Sequence, residues 1–304
     1  MKLWEAYYAP QTPDEAIEIL TQYAGRARLV AGGTDLLVER RYDPGDPIPA
    51  LVDITAIPEL CQITEEDEGS ITLGAGVTHT QIVKSALLTQ RATCLVESCG
   101  VIGGPQVRNV ATLGGNVAHA LPAGDGTTSL VALDALADIF HAGQHQQRPI
   151  RELYRGPGQS LLDPTRDMLL RFHLKATQAG EGTAFSRIMR PQGVALPVLG
   201  CSVWVRLSED GSHYADARVC IAPVAPTPQR ITAVEDALRG QPADENTLSA
   251  AIKAARETLA PRTSKYRATA AYRTEMVEVL LRRTLPKAVE RARTGDAIPE
   301  GIGL

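Results

Sequence analysis

The sequence is poorest in what a membrane, nucleic-acid or disulfide protein would need. No stretch approaches the roughly 20 apolar residues of a membrane-spanning helix, which excludes such a span. The opening MKLWEAYYAPQTPDEA has neither a continuous apolar core nor a small-residue cleavage site, so it does not read as a secretory signal. Lys and Arg number 31 against 35 Asp and Glu, a formal net charge of −4. At that net charge nucleic acid is not an expected partner, because phosphate binding needs clustered positive charge. Five cysteines (Cys61, Cys94, Cys99, Cys201, Cys220) are scattered and odd in number, which fits free thiols in a reducing compartment and predicts a cytoplasmic location. Aromatic residues make up only 4%, so aliphatic side chains and alanine must fill the core.

Several chemical signatures are missing as well. No P-loop occurs, and the nearest approach to a Rossmann fingerprint, Gly74-Ala75-Gly76-Val77-Thr78-His79, lacks its third glycine. His79, His119, His141, His145, His173 and His213 show no metal-ligand spacing, and Cys94 and Cys99 have no second pair. No nucleophile triad and no carboxylate pair stands out. His119 reads as an ordinary core or surface histidine rather than a covalent flavin link.

What is present is an ordinary globular composition, 44% hydrophobic and 22% charged, long enough at 304 residues for about two domains. Thr12-Pro13-Asp14-Glu15 is a helix start with a hydroxyl cap, and apolar residues at helical spacing run to Ala24 before Gly25. Strands are predicted at 27–31, 51–54, 71–73, 137–140 and 168–174, with helices over 36–42, from Thr78 to about Leu88, and within 126–137. From about residue 178 the texture changes. Strands over 184–189, 200–207 and 214–221 are followed by helical stretches at roughly 228–239, 244–259 and 265–284. The remainder reads as a tail.

Two glycine loops carry the chemistry. Ala31-Gly32-Gly33-Thr34-Asp35 follows a strand; Ala111-Thr112-Leu113-Gly114-Gly115-Asn116 has the same character. Paired glycines expose consecutive backbone N–H groups and a hydroxyl adds a donor, which suits a diphosphate. Each loop alone reads more readily as a plain strand-to-helix turn. Two together suggest a clamp on one extended anionic ligand.

These residues also carry a resemblance. VAGGTDLLVERR, LVDITAIPEL, ITLGAGVTHTQI, GPQVRNVATLGGN, PAGDGTTSLVALDA and SKYRATAAYRTEMVEVLLRR occur in that order over residues 3 to 284. Their sum resembles the FAD-binding medium subunits of the molybdenum hydroxylases, the carbon monoxide dehydrogenase and xanthine dehydrogenase type. The resemblance implies an α+β chain with a two-subdomain FAD-binding domain of the PCMH type at 1–176 (subdomains about 1–56 and 57–176). A C-terminal domain of a three-stranded antiparallel sheet and a helical bundle at 177–284 and a tail at 285–304 would follow. It implies an oxidoreductase subunit holding FAD. A large partner would carry the molybdopterin cofactor and a small one the 2Fe-2S clusters, in a dimer of heterotrimers, with NAD, a quinone or similar as external acceptor. Carried over position by position, Arg28, Leu29, Val30, Ala31, Gly32, Gly33, Thr34, Asp35 and Leu36 would wrap the diphosphate and adenosine side. Ala111, Thr112, Gly114, Gly115 and Asn116 would close the second loop, and Ile102 and Gly103 would line the adenine region. Gly124 and Asp125 would face the ribityl chain, and Leu169, Leu170, Phe185 and Arg187 the flavin ring. No catalytic residue and no metal ligand is expected on this chain; Arg108 and Asn109 would brace the second loop. Two rivals are a stand-alone flavin-dependent reductase of the same broad fold, comparable to the one that makes UDP-N-acetylmuramate, and a flavin-free assembly subunit.

Overall fold

The computed structural model describes residues 2–66, 69–190, 196–265 and 267–301. Pro191, Gln192 and Gly193 of the RIMRPQG segment, Tyr266 of SKYR and the last three residues of the expected tail lie outside them.

Three sheets organise the described chain. The first is parallel, in the order β1 (Trp4–Tyr8), β3 (Ile48–Asp53), β2 (Ala27–Val30). Helices α1 (Pro13–Tyr23) and α2 (Leu36–Tyr42) make its crossovers. Helix α1 forms where its signals predict: Thr12 accepts from Glu15 N–H at 3.2 Å, Pro13 occupies the first turn, and Ala16, Ile19 and Leu20 form the buried stripe. Its left-handed terminus falls on Ala24 as well as Gly25.

The second sheet is antiparallel, in the order β4 (Ile63–Glu66), β5 (Ser70–Gly74), β10 (Met168–Lys175), β6 (Leu136–His141), β7 (Gln144–Pro149). A small ribbon of β8 (Tyr154–Gly156) and β9 (Gln159–Ser160) stands apart. Between β5 and β6 the chain builds α3 (His79–Lys84), α4 (Ala86–Arg91), α5 (Thr93–Gly100), α6 (Pro105–Arg108), α7 (Leu113–Ala118) and α8 (Asp125–Ala132). The single helix expected from Thr78 breaks at Ser85, whose hydroxyl accepts from Leu88 N–H and starts a new helix. Helix α5 is buried along its whole length, because the later strand over 181–189 lies against it on one side and α3, α4 and α8 pack around the rest.

The third sheet is antiparallel, β11 (Glu181–Met189), β12 (Pro197–Leu207), β13 (Tyr214–Ala222), and packs against α9 (Thr232–Leu238), α10 (Glu245–Thr258) and α11 (Ala270–Thr294). Gly182 lies so close to α11 that a Cβ there would sit 2.1 Å from the carbonyl oxygen of Ala288. Helix α11 corrects the expected tail. It does not end near 284, although Pro286 is a stop signal. Leu285, Ala288, Val289 and Ala292 extend the buried stripe of Val277, Leu280 and Leu281, and the helix ends at Gly295 with φ of 73°. Residues 285–294 are therefore packed helix, because burying each leucine contributes about 1.5–3 kcal/mol and outweighs one lost hydrogen bond.

A buried ion pair ties the second and third sheets together. Glu97 on α5 accepts from Arg291 Nη2 on α11 at 2.7 Å and from Phe185 N–H on β11 at 2.7 Å. The chain end returns to the same place, with Glu300 N–H on Glu97 at 2.9 Å. Arg291 Nη1 donates to the carbonyl of Thr183 at 2.7 Å. Glu97→Leu strands a buried guanidinium, so it is expected to cost about 3–5 kcal/mol. The double variant Glu97→Leu, Arg291→Met should cost far less than the two single changes summed. Urea unfolding of the four proteins measures this, and additive losses would show that the pair is not a coupled unit.

Candidate functional site: two loops and the PAGD turn

Strand β2 delivers the first loop. Its edge is anchored by Leu29 N–H on Pro164 O at 2.8 Å, and Val30 O accepts from Ile54 N–H at 3.0 Å. Beyond Val30 the ladder stops. Among the described residues, the N–H groups of Ala31, Gly32, Gly33, Thr34 and Asp35 meet no acceptor. Gly33 turns the chain with φ of 67°. Gly32 is required by a close approach: a Cβ there would lie 2.2 Å from Val110 O and 2.7 Å from Ala111 Cα. The first loop is thus pressed against the second. Asp35 leaves α2 uncapped and turns its carboxylate to His119 Nε2, 3.7 Å away at the end of α7. Leu36 is buried below. Arg28 Nε is buried with no partner among the described residues.

The second loop is built differently from the first. All its N–H groups but that of Thr112 are spent inside the protein. Ala111 N–H reaches Val107 O, Leu113 N–H reaches Val77 O at 2.9 Å, and Gly114 N–H reaches Ala75 O at 2.9 Å. Gly115 N–H is taken by the Thr112 hydroxyl at 3.0 Å, the cap of α7, and Asn116 N–H by Thr112 O. Gly114 has no room for a Cβ, which would meet Ala75 O at 2.4 Å. What this loop offers outward is side-chain chemistry, chiefly Asn116. Asn116 Oδ1 accepts from Thr127 Oγ1 at 3.5 Å, and Thr127 meets the Tyr154 hydroxyl at 2.7 Å. Sequence reasoning passed over Thr127 and Tyr154; the signal was Thr127, three residues past Gly124 in PAGDGTT. Arg108 braces the 101–104 turn, with Nη1 on Ile102 O at 3.3 Å and Gly103 O at 3.0 Å, while Asn109 accepts from Thr80. Nearby His79 is buried, and burial and Arg108 push its pKa down to about 4.

The PAGD turn abuts this loop. A Cβ on Gly124 would lie 3.0 Å from Asn116 Oδ1. Asp125 is buried and pairs with Arg187 Nη1 at 2.7 Å; Arg187 Nη2 also donates to Val101 O. Burial raises the Asp125 pKa from 3.8 to about 6, against the pull of Arg187. Arg187, read from sequence as a cation at the flavin ring, is therefore neutralised by Asp125, although its Nε is a buried orphan. Phe185 is core: its ring edge would be 3.2 Å from a Cβ on Gly200. Leu169 and Leu170 are both buried in separate clusters on opposite faces of β10. Leu170 also borders a polar cleft of about 510 Å³ beside Asp14, Glu59, Asp138 and Arg171, which none of the glycine-loop residues touches. The structure thus brings together 28–36, 111–116 and 124–125, and leaves Leu169, Leu170 and Phe185 in the core.

This geometry coincides with two family matches. Residues 2–174 match the FAD binding domain in molybdopterin dehydrogenase, and residues 183–288 match the CO dehydrogenase flavoprotein C-terminal domain. The chain belongs to this family. It is 28% identical over 288 residues to the xanthine dehydrogenase FAD-binding subunit of Escherichia coli O157:H7, covering 94% of this chain and 97% of that one. It is 30% identical over 285 residues to the carbon monoxide dehydrogenase medium chain of Hydrogenophaga pseudoflava, with coverage of 94% and 97%. A solved carbon monoxide dehydrogenase from Hydrogenophaga pseudoflava, lacking the Mo-pyranopterin moiety, superposes with a TM-score of 0.87 at 29% identity over 96% of this chain and 99% of that one. The chain is a FAD-binding oxidoreductase subunit of α+β fold. Among its described residues no helix is long and apolar enough to cross a membrane and no metal-binding cluster occurs.

The residues present fit FAD. Five unspent N–H donors, a cradle that a Cβ on Gly32 would fill and an orphaned guanidinium nitrogen on Arg28 together suit a diphosphate. Gly32→Ala is expected to force the loops apart and lower FAD retention at least about tenfold, since the loss of one or two hydrogen bonds to a charged group suffices for that factor. Gly33→Asp adds a repelling carboxylate with the same effect. Flavin content of the purified variants decides; full retention in both would sink the clamp. Asp125 supplies a pH test. Its folded pKa is raised, so its contribution to stability is present below pH 3.8 and lost as pH rises through about 6. Relative to Asp125→Asn, the wild type should lose on the order of 1–3 kcal/mol between pH 4 and 7; parallel curves would contradict the shift.

Proposed function

We propose that this chain is the electron-transfer subunit of a three-subunit molybdenum hydroxylase. FAD would receive electrons from 2Fe-2S clusters on a small partner and pass them to an external acceptor such as NAD or a quinone, with substrate oxidised at a molybdopterin cofactor on a large partner. The observation that carries the reading is the loop of unspent N–H groups, pressed by Gly32 onto the second loop. The names of the relatives, a FAD-binding subunit and a medium chain, support a multi-subunit setting. FAD supplies the redox chemistry when bound. The chain's own residues bind and orient. Ala31 to Asp35 donate to the diphosphate, Arg28 adds positive charge, and Leu29, Val30 and Leu36 support the loop toward the adenosine. Thr112 shapes the second loop by capping it, while Gly114 and Gly115 keep it close and Asn116 donates from its amide. Ile102 and Gly103 line the adenine side, held by Arg108. Gly124 and Asp125 set the far wall, and the Asp125–Arg187 pair leaves little net charge there.

The division into 1–176 and 177–284, now with α11 continuing to Thr294, the cytoplasmic location and a dimer of heterotrimers belong to the same proposal. A visible spectrum with chromatography of the acid-released chromophore tests it. Released FAD is expected, together with substrate-dependent bleaching only when both partner subunits are present. Bleaching by a substrate in the isolated chain would favour a stand-alone reductase. A colourless chain that takes up no added FAD would favour a flavin-free subunit.

A further inference from the structure

From Thr258 to Thr274 the chain carries Arg262, Lys265, Arg267 and Arg273 and not one carboxylate, in a protein whose net charge is −4. The stretch includes the connection from α10 to α11. Arg273 is 2% exposed, yet its Nη1 donates only to backbone carbonyls, Pro223 O at 3.2 Å and Arg262 O at 3.1 Å. Its Nε has no partner. Arg267 Nη1 donates to Pro197 O at 3.2 Å. Pro197 begins β12 and Pro223 follows β13, and these strands pair with Gly200 opposite Ala222. The two guanidinium groups are therefore anchored on neighbouring strand ends, and the exposed Arg262, whose carbonyl Arg273 holds, lies within electrostatic reach of Arg273. Among the described residues, none of Arg262, Arg267 and Arg273 forms an ion pair. The acid that Arg267 senses is Asp125, which is already held by Arg187.

Buried guanidinium groups are ordinarily matched by carboxylates, because an unpaired buried charge is costly. Here only Arg273 is buried and backbone carbonyls alone answer it, with the half-buried Arg267 and the exposed Arg262 gathered beside it. We propose that Arg262 and Arg267, backed by the buried Arg273, form a binding site for a phosphoryl group, distinct from the diphosphate loop. Arginine suits this chemistry: its planar fork donates two parallel hydrogen bonds to a tetrahedral oxyanion and stays charged at every physiological pH. The outward pair would contact the oxygens, and Arg273 would hold the local potential positive without touching them. Free phosphate and the phosphate of a nucleotide share this chemistry.

The test uses the full chain saturated with FAD, so that the glycine loops are already filled. Inorganic phosphate and AMP are titrated at constant ionic strength, with chloride as the reference, and binding is read by calorimetry and by the melting temperature. Saturable phosphate binding is expected, weakened about tenfold or more by Arg267→Gln and by Arg262→Gln, since each removes a charge-assisted hydrogen bond. Both variants should keep wild-type FAD content and wild-type melting in chloride. Arg262 is exposed, so its replacement keeps the test sound if Arg267→Gln folds poorly. AMP binding at least tenfold tighter than phosphate identifies a nucleotide as the source, and equal affinities identify the free ion. No difference between phosphate and chloride, or binding that survives both substitutions, overturns the proposal. Binding seen only without FAD would place the phosphate in the glycine loops and overturn it too, while leaving the flavin reading intact.

Discussion

The Glu97–Arg291 pair is buried where three elements meet, and much of the architecture follows from satisfying it. A carboxylate and a guanidinium taken out of water repay their desolvation only if their remaining hydrogen-bonding capacity is also used. Glu97 takes the Phe185 and Glu300 amides; Arg291 takes the Thr183 and Ile298 carbonyls. Those partners come from β11 and from the segment after α11, so the pair sets the register of the third sheet against α5. It also explains why α11 runs past Pro286, since a helix ending near 284 could not deliver Arg291. A second buried tie, Asp125 to Arg187, joins the start of α8 to the same strand. Ser202 to Ser129 and Cys94 N–H to Thr183 add weaker links nearby. The PAGD turn is thereby held in place from the side of the third sheet.

The two glycine loops show how similar sequence can serve dissimilar roles. Both carry a Gly-Gly pair beside a threonine. In the first, the backbone leaves the sheet and keeps its donors unspent. In the second, a short bridge of Thr78 with Thr112 and a capped helix consume the donors. The glycines there serve packing, since Gly114 abuts the carbonyl of Ala75. One loop supplies N–H groups; the other supplies a rigid wall and an amide whose oxygen is engaged by Thr127.

Local signals were legible where local physics decides. The Thr12 cap, the strand at 168–174, the three strands after residue 178 and both glycine loops are readable from capping, alternation and turn chemistry. The order of motifs was specific enough to imply the flavoprotein family and its three-stranded C-terminal sheet. Less was legible where distant segments compete. The full burial of α5, with Glu97, Ser98 and Thr93 inside, reads as polar surface until β11 covers it. That Arg187 pairs with Asp125 and that Phe185 packs in the core depend on segments far apart in sequence and are not legible locally.

The sequence by itself determined the elements, the family and the residues capable of holding a diphosphate, because caps, periodicities and glycine turns depend on neighbours within a few positions. Tertiary structure alone decided which of those groups keep their hydrogen-bonding capacity. Whether an N–H or a guanidinium is spent depends on acceptors such as Ala75 O, Val110 O, Asp125 and Glu97, and long-range packing sets which of them arrives within reach.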